Sequence, residues 1–160
     1  MIVLHGRKVV GGVAEGVALV TKETISGWGG IDPATGTIIE RRHELRGQSF
    51  KDKILVFPGA KGSSGWSAFF HTARLLGAAP KGMIFKKMTT KVALGAVVTR
   101  SPAVTDLDQD PLTVIETGDW VEIDADQGIV KVTKPKERSP RLDRGQDTSS
   151  ARAPARDREG

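Results

Sequence analysis

Cysteine is missing from all 160 residues. That excludes disulfides, and it excludes any thiolate zinc site or iron–sulfur cluster held by this chain alone. Long apolar runs are missing too. Nothing approaches the roughly 18 residues of a membrane span, and the opening MIVLHGRKVV is broken by His5, Gly6, Arg7 and Lys8 where a signal peptide stays apolar. A soluble, cytoplasmic protein without membrane contact is the expectation. Apolar residues make up only 38% of the chain, and the shortfall is concentrated at one end. Residues 134–160 contain one large aliphatic side chain, Leu142, and no aromatic. Such a segment buries too little apolar surface to offset its ordering entropy, so a disordered mixed-charge tail is expected there. Residues 1–133 are left as one domain.

A basic patch is also lacking. The tail holds eight Lys and Arg against five Asp and Glu, which accounts for +3 of the net +5. The remaining +2 is too little for the electrostatic footprint of a nucleic-acid binder, so nucleic acid is not an expected partner.

What is present reads as many short strands. KVVGGVAEGVALVTK predicts one or two strands joined by a glycine turn, and KILVFP and GMIFKK predict short buried ones. TGDWVEIDADQGIVKV alternates, with Val121 and Ile123 on one face and Glu122 and Asp124 on the other, and DADQG supplies a hairpin turn. From Ser64 onward, Trp66, Phe69, Phe70, Ala73 and Leu76 recur at helical spacing until Gly77 and Pro80 end the pattern. TTKVALGAVVTR reads as a brief helical turn leading into a strand. Together these predict a β-rich α/β domain, a distorted barrel or sandwich with two short helices. ISGWGGIDPATGTIIE is a long glycine-rich loop, a kind of segment that tends to be functional. It makes Trp28, Gly29 and Gly30 candidate pocket residues, with Asp32 capping the DPATG turn.

FPGAKGSSGWSAFF places Lys61, Gly62, Ser63 and Ser64 between a strand and a helix start. A phosphate-cradling P-loop is excluded, because counting from Gly59 puts Ser64 and Gly65 where Gly and Lys are required. A nucleophile elbow is excluded as well: Lys61 precedes Ser63 and Trp66 follows Ser64 where glycines belong. The remaining geometry, hydroxyls and free N–H groups at a positive helix end, suits a carboxylate or phosphate. The plainer reading is that Ser64 caps the helix and Ser63 fills a turn. For a serine to act as a base, an alkoxide about as basic as hydroxide must form near pH 7, far below where it ordinarily ionises. That is a cost of about 11 kcal/mol, whereas a helix terminus supplies about 0.3–2 kcal/mol. Lys61 alone does not close this gap, so a second protein would have to complete the site.

In order, GRKVVGGVAEGVALVTK, ISGWGGIDPATGTII, KILVFPGAKGSSGWS, LGAAPKGMIF and TGDWVEIDADQGIVKV resemble the small subunit, or swivelling domain, of the aconitase X family. SGWGGIDPATG and the Gly-Ser-Ser turn are the most specific pieces. The resemblance implies a swivelling β/β/α domain with a barrel-like core, docked as a heterodimer on a large subunit. That partner would carry the iron–sulfur cluster, and this chain would bind no cofactor or metal. Family enzymes are hydro-lyases acting on small hydroxy acids, either cis-3-hydroxy-L-proline or mevalonate 5-phosphate. By the same resemblance Ser63 is the catalytic base, and Ser64, Gly62 and the helix N–H groups hold a substrate carboxylate. Lys61 then favours the ionised serine.

Two residues depart from the family pattern. Trp66 and Arg100 stand where smaller or apolar residues are usual, so each is a candidate to alter specificity, with helix packing the plainer reading of Trp66. His43 and His71 are read as ordinary residues. The Ala- and Arg-rich tail favours a bacterial origin and therefore cis-3-hydroxy-L-proline, with mevalonate 5-phosphate as the alternative. Two further readings are a phosphohistidine-type swivelling carrier, disfavoured because His71 lies inside the predicted helix, and a non-catalytic binding module.

Overall fold

In the computed structural model, residues 1–62 and 65–137 are described. Ser63, Ser64 and most of the expected tail lie outside them. The strands are β1 (Ile2–His5), β2 (Arg7–Val10), β3 (Val13–Val20), β4 (Ile25–Ser26), β5 (Ile31–Asp32), β6 (Thr37–Ile38), β7 (Ile54–Phe57), β8 (Ala60–Lys61), β9 (Gly82–Phe85), β10 (Ala103–Thr105), β11 (Trp120–Asp124) and β12 (Ile129–Thr133). The helices are α1 (Trp66–Leu75), α2 (Thr90–Thr99) and the single turn α3 (Pro111–Val114).

Eight strands form one sheet in the order β1-β12-β11-β3-β7-β9-β10-β2. Its two outermost strands are consecutive in the chain with only Gly6 between them, so the sheet curls back almost onto itself as a barrel-like core. The Gly6 N–H donates to the Gly128 carbonyl at 2.7 Å and ties that corner shut. The barrel-like core and short helices match the expected fold class.

Side-chain alternation then divides the core. Leu4, Ile54, Val56, Ile84, Val121 and Val130 fill the barrel interior, while Leu55, Phe57, Met83 and Phe85 point outward beneath α1 and α2. Strands β7 and β9 are therefore buried on both faces, as their unbroken apolar sequences require.

Two expectations need correction. The helix expected from Ser64 starts at Trp66, and its N-cap is Gly65 in the left-handed region (φ 94°), a conformation glycine adopts without strain. The stretch read as a turn leading into a strand is a ten-residue helix, α2. Thr89 caps it by accepting the Val92 N–H at 3.3 Å. Val97, Val98 and Thr99 favour a strand locally, but packing against α1 decides the outcome. The indole of Trp66 lies so close over Gly95 that a Cβ there would collide with ring atom Cζ3.

The start of the expected tail is tied into the domain. Lys134 Nζ donates to the buried Asp119 carboxylate at 2.6 Å and to the Val114 carbonyl at 2.9 Å. Burial alone would lower the Lys134 pKa. The hydrogen bond and charge of Asp119, followed by those of Glu116, outweigh it and hold the ammonium above its ordinary 10.5. A raised folded value means that this contribution is present below pH 10.5 and is lost as pH rises through the folded pKa.

Replacing Lys134 by Met strands the Asp119 carboxylate, and about 3 kcal/mol should be lost in urea unfolding at pH 7. Gly95→Ala should cost about 2 kcal/mol by overpacking, and clearly less in a Trp66→Phe background, as a double-mutant cycle would read.

Candidate functional site

Strands β7, β9 and β10 lie side by side and parallel. The connections between them are α1 and α2, both packed on the outer face. Both helices therefore begin at the carboxyl ends of the strands, where open α/β sheets place their ligands. The two N-termini converge there, on either side of Gly62.

The short parallel pair β4–β8 brings the glycine-rich loop to the same corner. Gly27 is the contact: a Cβ on it would stand 2.8 Å from the Cα of Trp66 and 3.4 Å from the Gly65 carbonyl oxygen. Trp28 follows, 82% exposed as a residue, with its ring edge-on to Phe69 at 5.7 Å. Of the expected pocket residues, Trp28, Gly29 and Gly30 are thus on the loop that flanks the turn. Gly62 and Gly65, either side of the serines, both have positive φ (91° and 94°). The corner is not the depression of about 460 Å³ between Val13, Glu15, Lys81, Glu122 and Lys131, which none of these residues lines.

Three charged side chains act on the turn. Lys61 Nζ donates to Glu40 Oε2 at 2.6 Å, and the other oxygen of Glu40 is buried with no hydrogen-bond partner among the described residues. Lys91, in the first turn of α2, donates to the Gly62 carbonyl. Glu40 leads into a loop anchored by Glu44, which accepts from the Thr21 hydroxyl and from the Lys22 N–H at 2.8 Å. The Thr21 hydroxyl bond, then the Lys22 N–H, holds the Glu44 carboxyl below its ordinary 4.5.

Sequence reasoning missed Glu40 and Lys91. Glu40 carried no signal. Lys91 would have drawn attention as a cation at a helix start had α2 been read as a full helix.

The remaining expected residues fall elsewhere. Trp66 is core: it is 1% exposed, its ring stacks on Phe70 at 4.3 Å, and its Nε1–H donates to the Ile25 carbonyl at 2.7 Å. Arg100 is the exposed C-cap of α2 (φ 57°), about 13 Å from Lys91 along the helix axis. Asp32 serves its turn, accepting from Ala34 N–H at 3.0 Å and from the Thr35 hydroxyl at 3.2 Å. His43 is buried and accepts the Leu45 N–H on Nδ1, so Nε2 carries the proton towards the Thr24 carbonyl, 3.1 Å away. His71 is inside α1.

Residues 3–132 match the family model described as the aconitase X swivel domain. The chain belongs to the aconitase X swivel-domain family. Similar proteins include the phosphomevalonate dehydratase small subunits of Methanocella arvoryzae (42% identical, covering 81% of this chain and 98% of that one) and Archaeoglobus fulgidus (44%, covering 79% and 95%). Among solved structures, the holo-form of Thermococcus kodakaraensis aconitase X superposes with a TM-score of 0.79 at 39% identity, covering 84% of this chain and all of that one. A UPF0107 protein solved by solution NMR gives 0.75 at 41% identity, covering 83% of this chain and all of that one.

This aconitase X swivel domain has no cysteine, and among the described residues no three His, Asp or Glu gather as metal ligands.

The two tryptophans beside the turn should separate in urea unfolding. Trp28→Ala should cost less than about 1 kcal/mol, and Trp66→Ala about 4 kcal/mol.

Proposed function

We propose that this chain is the small subunit of an aconitase X-type hydro-lyase that dehydrates mevalonate 5-phosphate, and that the Gly62 corner is its share of the active site. The observation that carries the reading is the corner itself: two helix starts and the cations Lys61 and Lys91 meet around Gly62 in a chain whose relatives bear that substrate in their names. The preference for cis-3-hydroxy-L-proline gives way here. It rested on tail composition, and the tail lies beyond the matched residues 3–132.

Dehydrating a 3-hydroxy acid removes a proton from the carbon beside the carboxylate and hydroxide from the next carbon. A carbon–carbon double bond and one water result. Ser63 takes the proton on its Oγ, and Ser64 with the first N–H groups of α1 binds the carboxylate. The turn must present Ser63 as its alkoxide, the charge that nearby cations stabilise. The iron–sulfur cluster belongs to the large subunit, where it supplies the Lewis acid for the departing hydroxyl. A phosphohistidine carrier fits poorly, since His71 is within α1, His43 is buried and His5 lies 3.6 Å from Asp108.

The test is steady-state dehydration by the chain co-purified with its large subunit. Mevalonate 5-phosphate should be turned over and cis-3-hydroxy-L-proline should not. Ser63→Ala should lower kcat by about a thousandfold, and Ser64→Ala by less than about tenfold with a higher KM. Turnover of cis-3-hydroxy-L-proline alone would reverse the substrate assignment, and full activity in Ser63→Ala would remove the serine from the chemistry.

A further inference from the structure

Two lysines flank the turn, and they are not equivalent. The charge of Lys61 is already matched: its ammonium is 2.6 Å from Glu40, which is only 23% exposed. The pair presents a dipole to the turn, not a net charge. Lys91 has no carboxylate within 4.0 Å among the described residues, and its ammonium is spent on a backbone oxygen, that of Gly62. The Gly62 carbonyl belongs to the peptide group whose nitrogen is that of Ser63. The ammonium is therefore held at the peptide group that precedes Ser63 in the chain, on a helix that starts in the same corner.

Lys86, just past β9, is bonded to Asp110 at 3.1 Å. Lys87 is held beside Pro58 by its backbone N–H, which donates to the Pro58 carbonyl at 2.9 Å.

We propose that Lys91 is a positioning residue for the dehydration. It clamps the Gly62 carbonyl onto the first turn of α2, and it supplies the uncompensated positive charge that favours loss of the Ser63 proton. Lys61 instead serves Glu40 and the loop that carries it. The inference rests on reading Ser63 as the base. It differs from that reading in naming the cation, and in placing it on α2, outside the Gly-Ser-Ser segment.

The clamp has a consequence independent of catalysis. In the full-length chain with carbonyl carbon labelling, Lys91→Met should shift the Gly62 carbonyl resonance and leave the melting temperature within a few degrees. Lys91→Arg should shift it much less, because a guanidinium can still donate.

In the complex with the large subunit, Lys91→Met should lower kcat on mevalonate 5-phosphate about 30-fold at pH 7, or about 2 kcal/mol at 1.36 kcal/mol per tenfold. KM should change less than threefold. The deficit should narrow as pH rises, because removing a cation raises the pKa of the group that must ionise. Lys91→Arg should recover most of kcat, and Lys61→Met should lose less than Lys91→Met and show no pH-dependent recovery.

An unmoved Gly62 resonance in Lys91→Met overturns the clamp. A kcat loss of the same size at every pH, or a larger and pH-dependent loss in Lys61→Met, overturns the electrostatic role. If Ser63→Ala stays active while the Gly62 resonance still responds to Lys91→Met, the base assignment and the electrostatic role fall together and the clamp stands.

Discussion

The indole of Trp66 fixes the geometry on which the rest depends. Its flat face needs a residue without a side chain opposite, which is Gly95 on α2, and its Cα needs another beside it, which is Gly27 in the glycine-rich loop. Its N–H is then satisfied by the Ile25 carbonyl at 2.7 Å. One residue thus sets three distances at once: α1 to α2 through its ring, α1 to the strand that opens the loop through its indole N–H, and α1 to the loop through its backbone. Two helices and a loop meet at one corner because each is measured from Trp66.

The corner is built from unequal charges. Both cations are exposed, but one is matched by a carboxylate and the other by a neutral carbonyl. A carbonyl holds an ammonium in place without cancelling its charge, so the field at the turn survives the bond that orients it. Glu40 in turn depends on a loop anchored by Glu44, whose lowered pKa keeps that anchor ionised above pH 4.5. The Lys61–Glu40 pair links that loop to the turn.

Much of the fold was legible in the sequence. The unbroken apolar runs of β7 and β9 announced strands buried on both faces, and the alternation of Val121 and Ile123 with Glu122 announced the β11–β12 hairpin. Those signals are local, and they decide the structure because burial rewards them directly. The second helix was not legible. Gly95 and the β-branched run after it argue against a helix within their own window, and the reason for them is a ring 29 residues earlier in the chain. Glu40 and Lys91 were missed for the same cause, since their partners lie 21 and 29 residues away. Trp66 was legible as a packed helical residue from its spacing with Phe70 and Ala73, but the glycines that receive it, Gly95 and Gly27, were not.

The joining of the first and last strands at Gly6 also governs how the chain can associate. An open sheet offers rows of unpaired N–H and C=O groups to which another strand can add. Here β1 and β2 are four residues long and follow one another directly. The carbonyl of His5 accepts the Asp108 N–H at 2.8 Å, and its own N–H donates to the Asp108 side chain at 3.1 Å. His5 therefore leaves neither its N–H nor its carbonyl free to template a neighbour, and a strand adding at the seam meets a residue that is already paired.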